Sequence, residues 1–237
     1  MRAVRWNRGS ALLVASLALM LVCTALVAYL FGSPETTALS PQKAEVTLAP
    51  GEPLHVTFVG DSLDRGLYAS SQENGFHQLM VEDWRADGPV ADNSLNSNGG
   101  TVQLALQSPG MPRDQDLYVI ELGTNDAVRV THRIFRQDYA ELLDRIRSAA
   151  PHAALLCMGA WRPRDVSARF DTIIKDLCEA RGGVFRSISD IAEIAENTGP
   201  AGVAAFDGLS DSFHPNDRGH AAISQRMLDA VAVKRDG

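Results

Sequence analysis

HVTFVGDSLDRG, residues 55–66, starts as an apolar run and breaks off at Gly-Asp-Ser. Within it VTFVG (56–60) is β-branched, aromatic and uncharged, the composition of a short strand buried on both faces. Such a strand ends here by presenting Ser62 between an aspartate and a leucine. Either the serine caps the helix that follows, or it is a nucleophile held where a substrate can reach it.

The rest of the chain repeats this alternation. DLYVIELG (116–123) and AALLCMGA (153–160) are two more strong apolar strands, and VFRSIS (184–189) is a further one. Between them the apolar residues move to helical spacing. Phe76, Leu79, Met80 and Trp84 define a helix over 72–86, and Phe135, Tyr139, Leu142, Leu143 and Ile146 one over 132–149. A third helix, 166–181, ends at Gly182-Gly183, a short one is expected over 101–107, and 219–232 is the closing helix. Pro89-Val90-Ala91 reads as a weak strand that opens a loop rich in Asn, Ser and Gly. Continuous apolar strands separated by helices give an α/β class with a parallel sheet covered on both faces.

Residues 1–31 stand apart. Arg2, Arg5 and Arg8 precede ALLVASLALMLVCTALVAYLF (11–31), which carries no charge. Twenty-one helical residues span roughly 30 Å, the thickness of a bilayer core. The stretch is long for a signal peptide, and Tyr29-Leu30-Phe31 is a poor approach to a cleavage site. It reads as an uncleaved anchor with a basic cytoplasmic stub, the rest of the chain lying outside; secretion after cleavage is the alternative. Met20-Leu21-Val22 before Cys23 lacks the small residue of a lipidation site. Residues 32–53, rich in Pro, Ser and Thr, read as a tether, so the domain is expected over 54–237.

Removing the three N-terminal arginines from 22 basic residues leaves 19 against 29 acidic ones, a net charge of −10 outside the anchor. Nucleic acid, which needs a basic face, is therefore not an expected partner. Three cysteines make no disulfide framework. Cys157 and Cys178 read as buried thiols, with a bridge between them as the alternative in an oxidising compartment. His55, His77, His132, His152 and His220 are scattered without ligand spacing, so neither metal nor cofactor is expected.

Three polar residues follow the strand pattern to one rim. Ser62 follows the first strand, Asn125 follows the strand ending at Gly123, and His214 lies between the last strand and the closing helix. In a parallel sheet the ligand site lies beyond the carboxyl ends of the strands. DSFHP (211–215) puts Asp211 three residues before His214, so one short loop offers a base and the carboxylate that would orient it. Asp207 is a rival partner. GTNDA (123–127) offers the Asn125 amide to a developing oxyanion, SNGGT (97–101) offers glycine N–H groups, and the Ser62 N–H near a helix start is a third donor. Trp161-Arg162-Pro163-Arg164 reaches the same rim, either shaping a pocket or as a plain loop.

GDSLDRG, the glycine of SNGGT, GTND and DSFHP, in that order, resemble the four blocks of the SGNH, or GDSL, hydrolases over about residues 55–232. The resemblance implies a flavodoxin-like three-layer α/β/α sandwich and ester hydrolysis through an acyl-enzyme. It implies Ser62 as nucleophile, His214 as general base and Asp211 as its partner, with Ser62, Gly99 and Asn125 as the oxyanion hole. Gly99 fits because Thr101 follows in a Gly-x-Thr pattern; Gly100 is the competing register. Asp61 and Asp126 would hold loops. No G-x-S-x-G elbow is present, which disfavours the α/β-hydrolases. The expected enzyme acts on acylated glycans or lipids outside the membrane. An O-acyltransferase with the same three residues and a non-catalytic glycan-binding module are the alternatives.

Overall fold

The structure, a computed structural model, describes residues 43–235. The stretch read as an anchor and the tether up to residue 42 lie outside them. Among the described residues no helix is long and apolar enough to cross a membrane.

Five strands form the central sheet: β2 (Leu54–Gly60), β3 (Val90–Asn96), β4 (Leu117–Ile120), β5 (Ala154–Met158) and β6 (Val184–Arg186). All pair in parallel in the order β3-β2-β4-β5-β6, with Val56 opposite Asp92 and Leu117, and Val119 opposite Leu156. The helices between them are α1 (Phe76–Asp87), the single turn α2 (Val102–Ala105), α3 (His132–Ala149) and α4 (Arg164–Glu179). After β6 come the short α5 (Ser189–Ala192), a small antiparallel hairpin of β7 (Ala204–Ala205) and β8 (Gly208–Leu209), and α6 (Asp217–Leu228).

Strand alternation sorts the core into two layers. Val56, Phe58, Leu117, Val119, Leu156 and Met158 face α1 and α6, meeting Phe76, Met80, Trp84, Ile223 and Met227. Val59, Tyr118, Ile120, Leu155 and Cys157 face the other way, onto Phe135, Leu142 and Ile146 of α3 and Phe170 and Ile174 of α4. A central strand with an apolar layer on each side has no room for the polar-out alternation of a half-exposed strand. The strand order turns round at β2 and β4: β3 is added on one side of β2, and β4, β5 and β6 on the other. A crevice opens beyond strand ends at such a reversal.

Four expectations are corrected. Residues 44–48, assigned to the tether, form β1 (Ala44–Leu48), whose alternation buries Ala44, Val46 and Leu48. It pairs in parallel with β9 (Val231–Arg235), so the closing helix stops at Leu228 instead of running to 232. Both strands are five residues long, overshadowed in the sequence by Pro-rich and helical neighbours. β3 runs seven residues where a weak strand and a loop were expected. It is an edge strand and tolerates the polar Asp92, Asn93 and Ser94. Cys157 and Cys178 are bridged, not free, with Cα atoms 6.4 Å apart, joining β5 to α4.

Candidate active site

Gly60 ends β2. A Cβ on it would meet the Asp64 Cβ at 2.5 Å and Glu121 Oε2 at 3.1 Å, so the strand end needs glycine. The Asp61 carboxylate then accepts the Leu63 N–H at 2.9 Å, the self-bonding turn that short acidic side chains make. Residues 61–70 continue as turns, and α1 starts only at Phe76. Ser62 therefore does not stand at an α-helix start as the sequence implied. Nor is it open: it is 4% exposed, its hydroxyl covered by His214 and Asp61.

His214 reaches Ser62 across 152 residues, with Nε2 3.0 Å from the serine Oγ. Its Nδ1 lies 2.8 Å from Asp211 Oδ2, while Asp211 Oδ1 accepts the His214 and Phe213 N–H groups at 2.7 and 2.8 Å. One carboxylate thus fixes both the loop and the ring. Burial pushes the Asp211 carboxyl up, but those N–H groups and the ring outweigh it and hold it below its ordinary value. The Asn216 side chain caps α6 on the Gly219 N–H and donates to the Glu196, Thr198 and Gly199 carbonyls, which fixes where the loop enters the helix. The ring sits edge-on to Tyr68 at 5.0 Å and to Phe213 at 5.1 Å. Asp207, the rival partner, faces away and pairs with Arg65 at 2.9 Å.

Asn125 follows β4 and donates its amide to Asp61 Oδ2 at 2.8 Å and to the Gly100 carbonyl at 3.0 Å. An oxyanion would have to share one of these hydrogens. Gly99 has φ +67°, which glycine adopts without strain. The Gly100 N–H is taken by the Ser97 carbonyl at 2.9 Å, whereas among the described residues the N–H groups of Gly99 and Ser62 have no acceptor. The Gly99 register is thus the one with a free donor. Asp126 holds its loop, accepting the Val102 N–H at 3.2 Å, and burial pushes its carboxyl up to about 6.

Beneath the serine, Asp61, expected to hold its loop, is paired with Glu121, which sequence reasoning missed. Glu121 accepts the Asp61 N–H at 3.1 Å and the Thr124 hydroxyl at 3.5 Å, and both acids are buried. Burial pushes Asp61 up to about 6, the Leu63 N–H restrains it, and Asp64 adds repulsion. Burial, reinforced by the charge of Asp61, pushes Glu121 well above its ordinary value, so it keeps its proton more readily. The available signal was an acid closing the apolar run DLYVIELG. Trp161 is buried, its N–H on the Thr124 hydroxyl and its indole N–H on the Phe213 carbonyl at 2.7 Å. Arg162 donates to the Thr124 carbonyl at 3.0 Å and lies 4.4 Å over the Phe213 ring. The 161–164 loop therefore shapes the rim. Among the described residues no group of three His, Cys, Asp or Glu is placed to hold a metal ion.

A nucleophile, a base, an orienting carboxylate and free N–H donors at one strand-end crevice suit acyl transfer. The profile of the GDSL-like lipase/acylhydrolase family matches residues 58–222. No curated protein sequence matches the chain. Among solved structures, the chain is similar to the psychrotrophic esterase EstA from Pseudoalteromonas sp., with TM-score 0.57 and 21% identity over 74% of this chain and 94% of that one. It is similar to a carbohydrate esterase family 2 enzyme from Corynascus thermopiles (Myceliophthora fergusii), with TM-score 0.59 and 16% identity over 77% and 67% of the two chains. An extracellular lipase from Streptomyces rimosus gives TM-score 0.58 and 15% identity over 74% and 99%. At these identities the likeness is one of fold.

Proposed function

The chain belongs to the GDSL-like lipase/acylhydrolase family and is an ester hydrolase, and from that premise we propose a serine esterase acting through Ser62, His214 and Asp211 on acylated glycans outside the cytoplasmic membrane. The observation that carries this reading is the continuous hydrogen-bonded chain from Asp211 through both ring nitrogens of His214 to the Ser62 hydroxyl.

Ser62 Oγ attacks the ester carbonyl while His214 Nε2 takes its proton. Asp211 holds the Nδ1–H tautomer and steadies the imidazolium that forms. The oxyanion is met by the Ser62 and Gly99 N–H groups and by a shared hydrogen of Asn125. Collapse expels the alcohol, which takes the proton back from Nε2, and leaves an acyl-enzyme. Water, deprotonated by the same nitrogen, then releases the carboxylic acid.

Glycans are favoured over long acyl chains by the walls beside the site. A cavity of about 410 Å³ adjoins Gly60 and Gly100, lined by Ser94, Asn96, Ser97, Thr101, Gln107 and Ser108, with Leu95, Leu104 and Ala105 between them. Hydroxyl and amide groups suit a sugar better than a lipid tail. The uncharged run 11–31 behind three arginines supports a membrane anchor, and the Cys157–Cys178 bridge supports an oxidising compartment.

Hydrolysis of p-nitrophenyl esters from acetyl to dodecanoyl, with Ser62→Ala beside the wild type, tests the chemistry. Activity on short esters, absent in the variant, is expected. Equal activity in Ser62→Ala would refute the assignment of the nucleophile, and rates rising with chain length would refute the glycan reading. Protease treatment of intact cells tests the location: the domain is expected to be cleaved from outside.

A further inference from the structure

The proposed site is flanked by two arginines that its chemistry does not use. Arg129 Nη1 donates to the Gly99 carbonyl at 2.7 Å. Arg162 Nε donates to the Thr124 carbonyl at 3.0 Å, and its guanidinium lies over Phe213, the neighbour of His214. Each is therefore fastened to a loop that carries a proposed oxyanion donor, Gly99 or Asn125. Neither has a carboxylate within ion-pair distance among the described residues. The Arg162 Nη1 and Nη2 and the Arg129 Nε and Nη2 have no acceptor among them either.

The two cations also feel each other. Burial pulls Arg162 down from its ordinary value, the buried Asp61 carboxylate partly restores it, and Arg129 pulls it down again. Two cations fastened to neighbouring loops of the site, each with guanidinium donors that have no acceptor among the described residues, leave a place for an anion that would remove the repulsion. A guanidinium offers a planar fork that matches a carboxylate, and charge-assisted pairs of this kind are the stronger hydrogen bonds. Some arginines of this acidic domain are neutralised locally, as in Arg226 with Asp190 and Arg181 with Asp144, and others, such as Arg147, donate to backbone carbonyls; Arg129 and Arg162 are the two fastened to the loops of the proposed oxyanion donors.

We propose that Arg129 and Arg162 form an anion subsite at the mouth of the active site, which selects acyl esters of acidic glycans by binding a sugar carboxylate near the scissile ester. The proposal rests on the esterase reading and names its substrate class. The cavity beside Gly60 and Gly100 offers room for the sugar, and the two guanidiniums, outside its lining, would hold a charged group that extends from it. An ester substrate of this kind gains affinity without any change at Ser62, so the subsite acts mainly on KM.

The test compares kcat/KM of the full-length protein on O-acetylated galacturonan oligosaccharides, O-acetylated manno-oligosaccharides and p-nitrophenyl acetate, at low salt and in about 1 M NaCl, where the Debye length falls to roughly 3 Å. The acidic glycan is expected to be preferred by about tenfold or more over the neutral one, and high salt should erase most of that preference while leaving p-nitrophenyl acetate little affected. Arg162→Gln and Arg129→Gln should each lower the ratio of acidic to neutral glycan, and Arg162→Lys should retain part of it. If the arginines only staple their loops, the glutamine variants lower all three substrates together and the ratio stays fixed, which overturns the proposal. Equal rates on both glycans without salt dependence also overturn it and leave the esterase reading standing. No hydrolysis of any ester removes that reading and this one with it. Preference for anionic phospholipid vesicles over both glycans would assign the subsite to a lipid headgroup and refute the glycan.

Discussion

Asn125 and Asp61, 64 residues apart in the chain, are joined by a hydrogen bond of 2.8 Å from the amide of one to the buried carboxylate of the other. The bond ties the turn after β4 to the turn after β2 at the point where the strand order reverses. Asp61 also receives the Leu63 N–H, so one buried side chain shapes the turn of Ser62, the proposed nucleophile, and holds the amide proposed to meet the oxyanion. The second amide hydrogen rests on the Gly100 carbonyl.

Asn125→Ala should therefore lower kcat by about 10²–10³ with little change in KM, the effect of losing one oxyanion donor. Steady-state kinetics on p-nitrophenyl acetate read this directly. A change in KM alone would mean that Asn125 binds substrate and does not stabilise the transition state.

Asp211 makes three contacts through two oxygens, and only one of them is to the ring. In Asp211→Asn the amide oxygen can keep the Phe213 and His214 N–H groups, which turns the NH₂ toward Nδ1. The ring must then carry its proton on Nε2, where it cannot accept from Ser62. kcat should fall by about 10³–10⁴, with the loop and the melting temperature nearly unchanged. A fall of less than about tenfold would show that Asp211 orients the loop only.

Glu121 holds its proton more tightly folded than unfolded, because burial and Asp61 disfavour its charge. The sign follows. The folded state binds the extra proton, so the stabilising contribution is present below the ordinary value of 4.5 and is lost as pH rises through the raised folded value. Glutamine mimics the protonated acid and cannot ionise. Melting temperatures from about pH 5 to about pH 8 should therefore fall less for Glu121→Gln than for the wild type. Some slope remains, because burial also holds the Asp126 carboxyl up at about 6. Parallel curves for the two proteins would exclude a proton held on Glu121.

What the sequence made legible follows from how each signal is encoded. β2, β4, β5 and α3 are long or strongly periodic, and their apolar faces can be counted residue by residue. Ser62 and Asn125 follow strands of the central sheet, so topology alone sends them to one rim, and Asp211 and His214 lie on the loop between the β7–β8 hairpin and α6. Long-range pairing is encoded more weakly. β1 and β9 lie at opposite ends of the domain, and neither buries its apolar side without the other. Glu121 carries no mark of its environment in the sequence, since that depends on Asp61 and Asp64 arriving from the turn after β2. Ser62 was expected to be exposed, because the ring that covers it comes from 152 residues away.

β1 gives the correction a measurable consequence. The side chains of Val46 and Leu48 are buried in the layer that also holds Trp84 and Met227. Removing residues 1–52 strips that strand and uncovers its partner β9, whereas removing residues 1–42 leaves both intact. Two buried aliphatic side chains are worth roughly 3–6 kcal/mol, so the shorter chain should unfold at distinctly lower denaturant. Equal midpoints for the two truncations would mean that β1 adds nothing to the fold.

The Cys157–Cys178 bridge spans 21 residues and joins a central strand to the helix packed on it. Closing a loop of that size in the unfolded chain is worth about 3 kcal/mol in the chain-entropy account. For a domain of this size that corresponds to a melting temperature lower by about 6–12 °C when the bridge is absent. Comparing the oxidised protein with the Cys157→Ala/Cys178→Ala double variant, and with wild type unfolded and refolded under reductant, separates the bridge from the packing of its sulfurs. The reduced wild type keeps the sulfur volume and loses only the link. If it melts with the oxidised protein while the alanine pair does not, packing and not the link stabilises β5 against α4.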